Sequence, residues 1–511
     1  MDRWRSFPLT CKGGLEQSVE PLNLGTDMPG FARQLINFEP SVDGGYRRIN
    51  GYAKYDSAVV TGDALTPVTG IKVALGGVVA VRKTGTDNRI YFSSGSGWSA
   101  KLNAAARNGA VNKSRFISYS ISEPVVVLTD GVNTAWKWNG TTETDINGTG
   151  APTAPKYAAM HLSRLILAPA SNTSSIAISA ANSDTDFNGA SGAIEINVGD
   201  TIKGLKTFRD TLYIFCQNSI FKLTGNSSTN FAIVPVARSI GCLSHDSIQE
   251  VGGEIFFLAN DGVRPISATE RIGDIELALL SKSIQPTLKD DVLGSFGEDS
   301  FSSCIIRKKS QYRLFVNNTN TTEDSSISYL AKFSGSSNGN VIEWGLLQGI
   351  RPYCADSEYV GNNELAVIAH PTTGYVYRQD SGNDFDGRTI SWFYATPYLT
   401  FGDTFVRKVI HKVDIFAEFE GSNAMNFGLL FDYEESNIIQ PEVIQLMSSI
   451  GFSAYGSALY GTAVYSGNAN QRLKTNAIGS GFTVSYVFSG AGGNPFTIKN
   501  IDTTYALKGR R

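Results

Sequence analysis

Asp184-Thr185-Asp186-Phe187-Asn188-Gly189, followed by Glu195, is the one stretch of this chain with metal-ligand spacing. It satisfies D-x-D-x-N-G-x5-E, in which alternate oxygens converge on a hard cation and glycine permits the sharp turn. The flanking sequence points elsewhere. Strand-like residues 176–179 precede the loop and 194–198 follow it, so no helix pair frames it, and Ser191 stands where an aliphatic residue is usual. Turns rich in Asp, Asn and Gly are also what joins neighbouring strands. An ordinary turn is therefore expected between Asp184 and Glu195, with calcium as the sharper alternative, and no metal or cofactor is assigned.

Other chemistry is sparse. The four histidines, His161, His245, His370 and His411, form no HExxH pair, and neither GxSxG nor a phosphate-binding GxxxxGK[ST] occurs. His161 and His370 lie in or beside strand-like runs and are expected to be structural. Thr129-Asp130-Gly131-Val132-Asn133-Thr134-Ala135-Trp136 has some likeness to a sialidase Asp box, but the spacing differs and it occurs once. A propeller glycosidase would also need clustered carboxylates. No catalytic residue is assigned and no enzyme is expected. Cys11, Cys216, Cys242, Cys304 and Cys354 are scattered without a CxxC pair, so neither a disulfide framework nor structural zinc is expected. Cys216 sits beside the apolar run 212–215 and reads as a core residue in a chain that folds in a reducing compartment.

Composition narrows the class of function. With 511 residues, 41% hydrophobic and 18% charged, the chain is folded and too long for one ordinary core. Its 52 glycines and five methionines suit an all-β protein rich in turns. A net charge of -3 without a Lys/Arg block argues against a dedicated nucleic-acid binder. The opening Met-Asp-Arg-Trp-Arg lacks the apolar core of a signal peptide, and no stretch approaches the roughly 20 apolar residues of a membrane span. Without a secretory signal the Asn-x-Ser/Thr triplets at Asn112, Asn139 and Asn226 carry no weight. A soluble chain with no cleaved leader and no membrane span is expected.

Strands must position whatever function there is. Apolar or β-branched runs at 71–81, 124–128, 162–167, 212–215, 254–258, 312–316 and 364–369 are mostly followed, after a short turn, by a second run, as at 89–92, 135–138, 176–179, 220–223 and 375–378. The unit recurs every ~40–55 residues, the period at which small sheets repeat around a propeller axis. One hairpin cannot bury its own apolar face, so the units must close or stack. Residues 59–388 are therefore read as a β-propeller. His161-Leu162-Ser163-Arg164 and Phe208-Arg209-Asp210-Thr211 each begin a blade hairpin, and Asn260-Asp261-Gly262 signals a two-strand connector. Leu277, Leu280, Ile284 and Leu288 predict one short helix over 274–288, which Pro286 must kink or end.

Residues 1–58 read as an extended arm. Gly44-Gly45 can supply the positive-φ residues of a tight hairpin, with Tyr46-Arg47-Arg48 on the returning strand. The two arginines are either a solvated or structural ion-paired face or a guanidinium pair presented to a neighbouring subunit or to DNA, and the first reading is preferred. Residues 389–511 change character, with longer alternating strands that predict a C-terminal β-sandwich. Asp414, Glu418 and Glu420 share one face and Ile415 and Phe419 the other, so one side of that sheet should be wet. A five-residue step places Tyr455, Tyr460 and Tyr465 on a glycine-hinged loop, either packed on itself or offered to a partner.

In order and architecture the chain resembles the tail nozzle proteins of short-tailed bacteriophages, also called tail hub or packaged-DNA stabilisation proteins. Asn37-Phe38-Glu39-Pro40 followed by Gly45-Tyr46-Arg47-Arg48-Ile49-Asn50-Gly51-Tyr52 resembles their opening N-F-x-P … G-x-R-R-x-G stretch. Ile202-Lys203-Gly204-Leu205 through Phe221-Lys222-Leu223-Thr224-Gly225, and Ile240-Gly241-Cys242 through Gly262-Val263, resemble their propeller hairpins. Val406-Arg407-Lys408-Val409 and Phe496-Thr497-Ile498-Lys499-Asn500-Ile501 are similar to their final sheet. The resemblance implies a structural virion protein, assembled in the host cytoplasm, that forms a homohexameric ring below the portal adaptor protein. It further implies retention of the packaged genome, conduction of DNA at ejection without sequence-specific binding, and attachment of a tail fibre, spike or needle. A lumen through which DNA slides should not hold phosphates tightly. The alternative is a β-propeller receptor- or glycan-binding protein at a tail tip, and a propeller hydrolase is the third reading.

Overall fold

The computed structural model describes residues 4–101, 107–267, 279–291, 296–336, 339–435, 438–448, 469–476 and 478–510. The chain is all-β, and its repeating hairpins stand as blades around one axis. Four four-stranded blades follow in sequence. They begin with the innermost strands Val68–Ala74, Arg115–Ser120, Pro155–His161 and Ile202–Phe208. A fifth consists of Phe301–Ile306, Gln311–Val316, Ile327–Ser336 and Gly339–Gln348. The sixth has Cys354–Val360, Asn363–Ala369 and Val376–Gln379. A three-stranded sheet, Gln249–Val251, Glu254–Ala259 and Gly262–Pro265, lies between the fourth and fifth. Cys354–Val360 packs against Val68–Ala74, which closes the ring.

Each blade is apolar on both faces, so burial is completed only by its neighbours. Val79, Val81 and Ile90 of the first blade meet Leu128, Trp136 and Trp138 of the second. Ile166, Ile176 and Ile178 of the third meet Leu205, Leu212 and Ile214 of the fourth. Each such side chain contributes ~1.5–3 kcal/mol when buried. In the first, third and fourth blades and in the three-stranded sheet, the hairpin leaving the first strand uses a two-residue turn with both central residues at positive φ. They occur at Leu75-Gly76, Leu162-Ser163, Arg209-Asp210 and Gly252-Gly253. This twist matches that of paired strands, which is why the turn recurs even where no glycine is present. The Asn260-Asp261 connector is also a two-residue turn, with Gly262 opening the returning strand.

The arm is stitched into three sheets. Tyr52–Lys54 pairs with Val376–Gln379 and becomes the outer strand of the sixth blade, so the chain's beginning locks the propeller's end. Gln34–Ile36 lies between Gly339–Gln348 of the fifth blade and Ser391–Ala395. The fifth blade thereby continues into a nine-stranded sheet with Val484–Ala491, Asn423–Phe431 and Ile444–Ser448. Arg5–Thr10, Phe38–Pro40 and Tyr46–Arg48 join a second sheet built on Val406–Phe419 and Phe496–Arg510. The Gly44-Gly45 hairpin forms as expected, with φ of 84° and 86°. A Cβ on Gly45 would sit 2.4 Å from the Ile498 carbonyl oxygen, so the close approach to Phe496–Arg510 requires glycine.

The two C-terminal sheets face each other as a sandwich, filled by Phe38, Trp392, Tyr394, Phe427, Phe488 and Phe496. The sandwich is continuous with the propeller through the nine-stranded sheet, because the arm strand bridges them edge to edge. The outer face at Asp414 is drier than the alternation predicts. Arg472 and Lys412 approach its carboxylate to 2.5 and 2.9 Å, leaving Asp414 3% exposed. For the helix expected over 274–288, residues 268–278 lie outside the described ones. The remainder is a 3-10 turn, Lys282–Ile284, running into the α-helix Gln285–Asp291. Pro286 starts that helix rather than ending it, since the first turn needs no N–H donor there. Pro21–Asp27 forms a further helical turn in the arm, capped by the Glu20 carboxylate. The tyrosine repeat at 455, 460 and 465 lies outside the described residues.

Candidate functional site

Two groups of charged residues stand out, one on the propeller axis and one where the arm meets both β bodies. On the axis the innermost strands enclose a polar cavity of about 180 Å³. That space takes a handful of waters and has no room for duplex DNA. Ion pairs lace the end where the innermost strands begin. Arg115 reaches Asp246 at 2.9 Å and Asp299 at 2.6 Å, and Lys113 lies 3.4 Å from Asp246. Glu298 receives Lys203 at 2.9 Å and also Lys156. Burial alone would push the Asp246 carboxyl up, but Arg115, Lys113 and His245 hold it well below the usual carboxylate range. Burial lowers His245 to about 4, leaving a neutral ring packed on Tyr157. Towards the strands' other end lie Lys72, paired with Asp356 at 3.1 Å, Lys206, and Arg307 with Glu358 at 3.6 Å.

The joint is built on Glu39, third residue of the Asn37-Phe38-Glu39-Pro40 stretch, with Phe38 and Tyr46 fully buried beside it. Lys309 approaches the Glu39 carboxylate at 2.8 Å, Arg47 at 3.1 Å and Arg313 at 3.6 Å, and Gln311 donates at 2.8 Å. Asp380 of the sixth blade holds Arg313 at 2.9 Å and Lys309 at 3.3 Å, and Arg47 extends to Glu420 at 2.7 Å. Burial would raise both acidic pKa values, yet Lys309, Arg313 and Arg47 keep Glu39 low, and Arg313 and Lys309 bring Asp380 to about 2. Arg47 and Arg48 thus do different things. Arg47 spans arm and sandwich, whereas Arg48 is fully buried, donates to the Asn383 carbonyl at 2.7 Å, and is lowered to about 10 by burial and by Arg47.

The calcium-spaced residues do not converge. Asp184 pairs with Lys137 at 2.8 Å and accepts from the Tyr119 hydroxyl. Asp186 accepts the Asn188 N–H, Asn188 caps the Ala190 N–H, and Glu195 accepts from Ser175 at 2.6 Å. No cluster of metal-binding side chains occurs among the described residues. His161 is buried in the third blade, and His370 contacts Glu323 at 3.1 Å. All five cysteines are buried and free. Sequence reasoning did not single out Lys206, Asp246 or Glu39, because each acquires its partners from strands far away in the chain. A third feature is apolar: Phe405, Ile439, Val443, Met447 and Ile478 of the C-terminal body are 65–97% exposed. No helix among the described residues is long and apolar enough to cross a membrane.

No protein-family model and no curated protein matches this sequence. Among solved structures, the chain is similar to BBS1N, solved in complex with ARL6DN, at 9% identity and a TM-score of 0.34, over 65% of this chain and 97% of that one. It is similar to PorZ, a bacterial surface component of the type-IX secretion system of Porphyromonas gingivalis, at 8% identity and a TM-score of 0.40, over 82% of this chain and 60% of that one. Kluyveromyces lactis Hsv2 aligns at 12% identity and a TM-score of 0.32, over 54% of this chain and 84% of that one. At such scores no function transfers, and the β-propeller with its C-terminal sandwich rests on its own strand pairing.

Proposed function

We propose that the chain is a structural virion protein, the tail nozzle subunit of a short-tailed phage, assembled in the host cytoplasm. The observation that carries the reading is the joint. The Asn37-Phe38-Glu39-Pro40 and Tyr46-Arg47-Arg48 segments, which carry the resemblance, are the pieces that weld propeller to sandwich through buried aromatics and the Glu39 ion cluster. Such a weld makes one stiff body from two domains, as a subunit under load needs. The propeller's own axis is too narrow for a duplex, so the DNA channel of this reading runs between copies in a ring. The exposed apolar residues of the C-terminal body supply contact surface for neighbouring copies, for the portal adaptor, or for a fibre, spike or needle.

The test is the mass of the purified chain, alone and with a portal–adaptor complex, by light scattering and negative-stain imaging. A sixfold ring with a central channel capping the complex is expected. A stable monomer that ignores the complex would sink the nozzle reading and favour the second one, a propeller receptor or glycan binder. That reading would be supported by binding of the isolated protein on a glycan array.

A further inference from the structure

We propose that Asn147-Gly148, in the loop that leaves the second blade, is a site of spontaneous modification at which Asn147 becomes a mixture of aspartate and isoaspartate. The inference rests on which reacting groups the fold leaves free and is independent of the nozzle reading. Hydroxide removes the Gly148 amide proton, and that nitrogen attacks the side-chain carbonyl carbon of Asn147. A new C–N bond closes a five-membered imide, the bond to the side-chain nitrogen breaks, and ammonia leaves. Water then opens the imide at one carbonyl or the other, giving aspartate or isoaspartate, the second with one more methylene in the backbone. Glycine is the following residue that hinders the attack least, because it has no Cβ.

Six Asn-Gly pairs occur, beginning at Asn50, Asn108, Asn139, Asn147, Asn188 and Asn338, and Asn338 lies outside the described residues. Four of the other five have a reacting group held. The Gly51 N–H donates to the Gly382 carbonyl at 3.0 Å, and the Asn50 side-chain oxygen accepts from Arg47 at 2.8 Å. The Gly109 N–H donates to the Thr86 carbonyl at 2.8 Å. The Asn139 side chain accepts from the Thr142 N–H at 2.8 Å and donates to Glu123 at 3.1 Å. The Asn188 side-chain oxygen caps the Ala190 N–H at 3.0 Å. A bonded side chain must release its partner before it can turn onto the following nitrogen, and a bonded amide is shielded from base. Asn147 is exposed, and neither its side chain nor the Gly148 N–H makes a hydrogen bond with the described residues. The chain is pinned on either side of it. Ile146 is fully buried with its N–H on the Ala135 carbonyl at 2.7 Å, and a Cβ on Gly148 would lie 2.0 Å from the Thr185 carbonyl oxygen of the third blade. The extra methylene of isoaspartate enters between these fixed points and must displace the loop from Thr185.

The experiment ages the full folded chain at mildly alkaline pH and maps its peptides by mass spectrometry, with isoaspartate scored by enzymatic methylation. Conversion at Asn147 is expected to run roughly fivefold or more ahead of that at Asn50, Asn108, Asn139 and Asn188, whose groups are held. A rate at Asn147 equal to or below that at any of the four overturns the proposal. The same ageing in denaturant should bring the five rates together, since each pair has the same following residue. A lead at Asn147 that survives unfolding would mean that local sequence and not the fold selects the site, and would overturn the argument made here from the structure. The displacement is read separately, as a fall in the thermal midpoint of the aged, isoaspartate-bearing fraction. Asn147→Asp, which adds the charge without the methylene, should keep the native midpoint, and equal midpoints for that variant and the aged fraction overturn the displacement of the loop.

Discussion

The axial cavity and the arm joint both hold ionised side chains away from bulk water, and they differ in how fully those charges are matched. At the joint, Glu39 and Asp380 share Lys309 and Arg313, Arg47 bridges Glu39 to Glu420, and the amide of Gln311 takes up a remaining acceptor site. On the axis Arg115 is equally well matched, whereas Lys206 makes no ion pair and feels Glu250 and Asp356 only at longer range. A matched cluster fixes the relative position of the elements that contribute to it, whereas a side chain without an ion pair leaves its element free of that constraint.

The strongest test of this contrast is Glu39→Gln. Removing the anion leaves Lys309, Arg313 and Arg47 crowded without their shared partner, and a loss of ~3–5 kcal/mol is expected by denaturant unfolding. A loss under ~1 kcal/mol would mean that the joint is held by its aromatics alone. Acid titration separates the carboxylates next. Asp380 sits at about 2, below the ordinary aspartate value of 3.8. A carboxylate depressed in the folded state contributes stability above its unfolded pKa, and that contribution is lost as pH falls from about 3.8 through about 2. The shift corresponds to ~2 kcal/mol at about 1.4 kcal/mol per unit. Asp380→Asn should therefore lower the denaturation midpoint at pH 6 and flatten its fall between pH 4 and 2.

Lys206→Met tests the other side with the opposite sign. Replacing an ammonium that makes no ion pair by an apolar chain of similar length should stabilise the protein by about 1 kcal/mol, read from the same unfolding curves. Destabilisation would mean that the cavity's waters satisfy the charge. The smallest effect expected is that of calcium. Since Asp184, Asp186 and Glu195 each serve separate local partners, millimolar calcium or its removal by chelator should leave the thermal midpoint unchanged. A saturable rise with calcium would restore the metal reading of that loop.

Much of the propeller was legible in the sequence because each blade hairpin is local. Two-residue turns and alternating apolar runs act over fewer than a dozen residues, so Phe208-Arg209-Asp210-Thr211 and Asn260-Asp261-Gly262 could be placed without tertiary information. The helix was only partly legible, because Pro286 satisfies either end of a helical pattern and neighbouring packing settles which. The wet face predicted for Asp414, Glu418 and Glu420 holds at Glu420 and in part at Glu418, and is lost only at Asp414, where Arg472 on Ala469–Thr475 covers the carboxylate.

The sequence by itself determined the fold class, the hairpin repeat and the long C-terminal strands, since turn chemistry and side-chain alternation are written residue by residue. Tertiary pairing alone made Tyr52–Lys54 close the sixth blade, placed Gln34–Ile36 between propeller and sandwich, and brought Lys309, Arg313 and Arg47 to Glu39. Those outcomes depend on pairings between strands hundreds of residues apart. Edge hydrogen bonds and charge balance are properties of what comes to lie alongside, and local pattern carries no record of it.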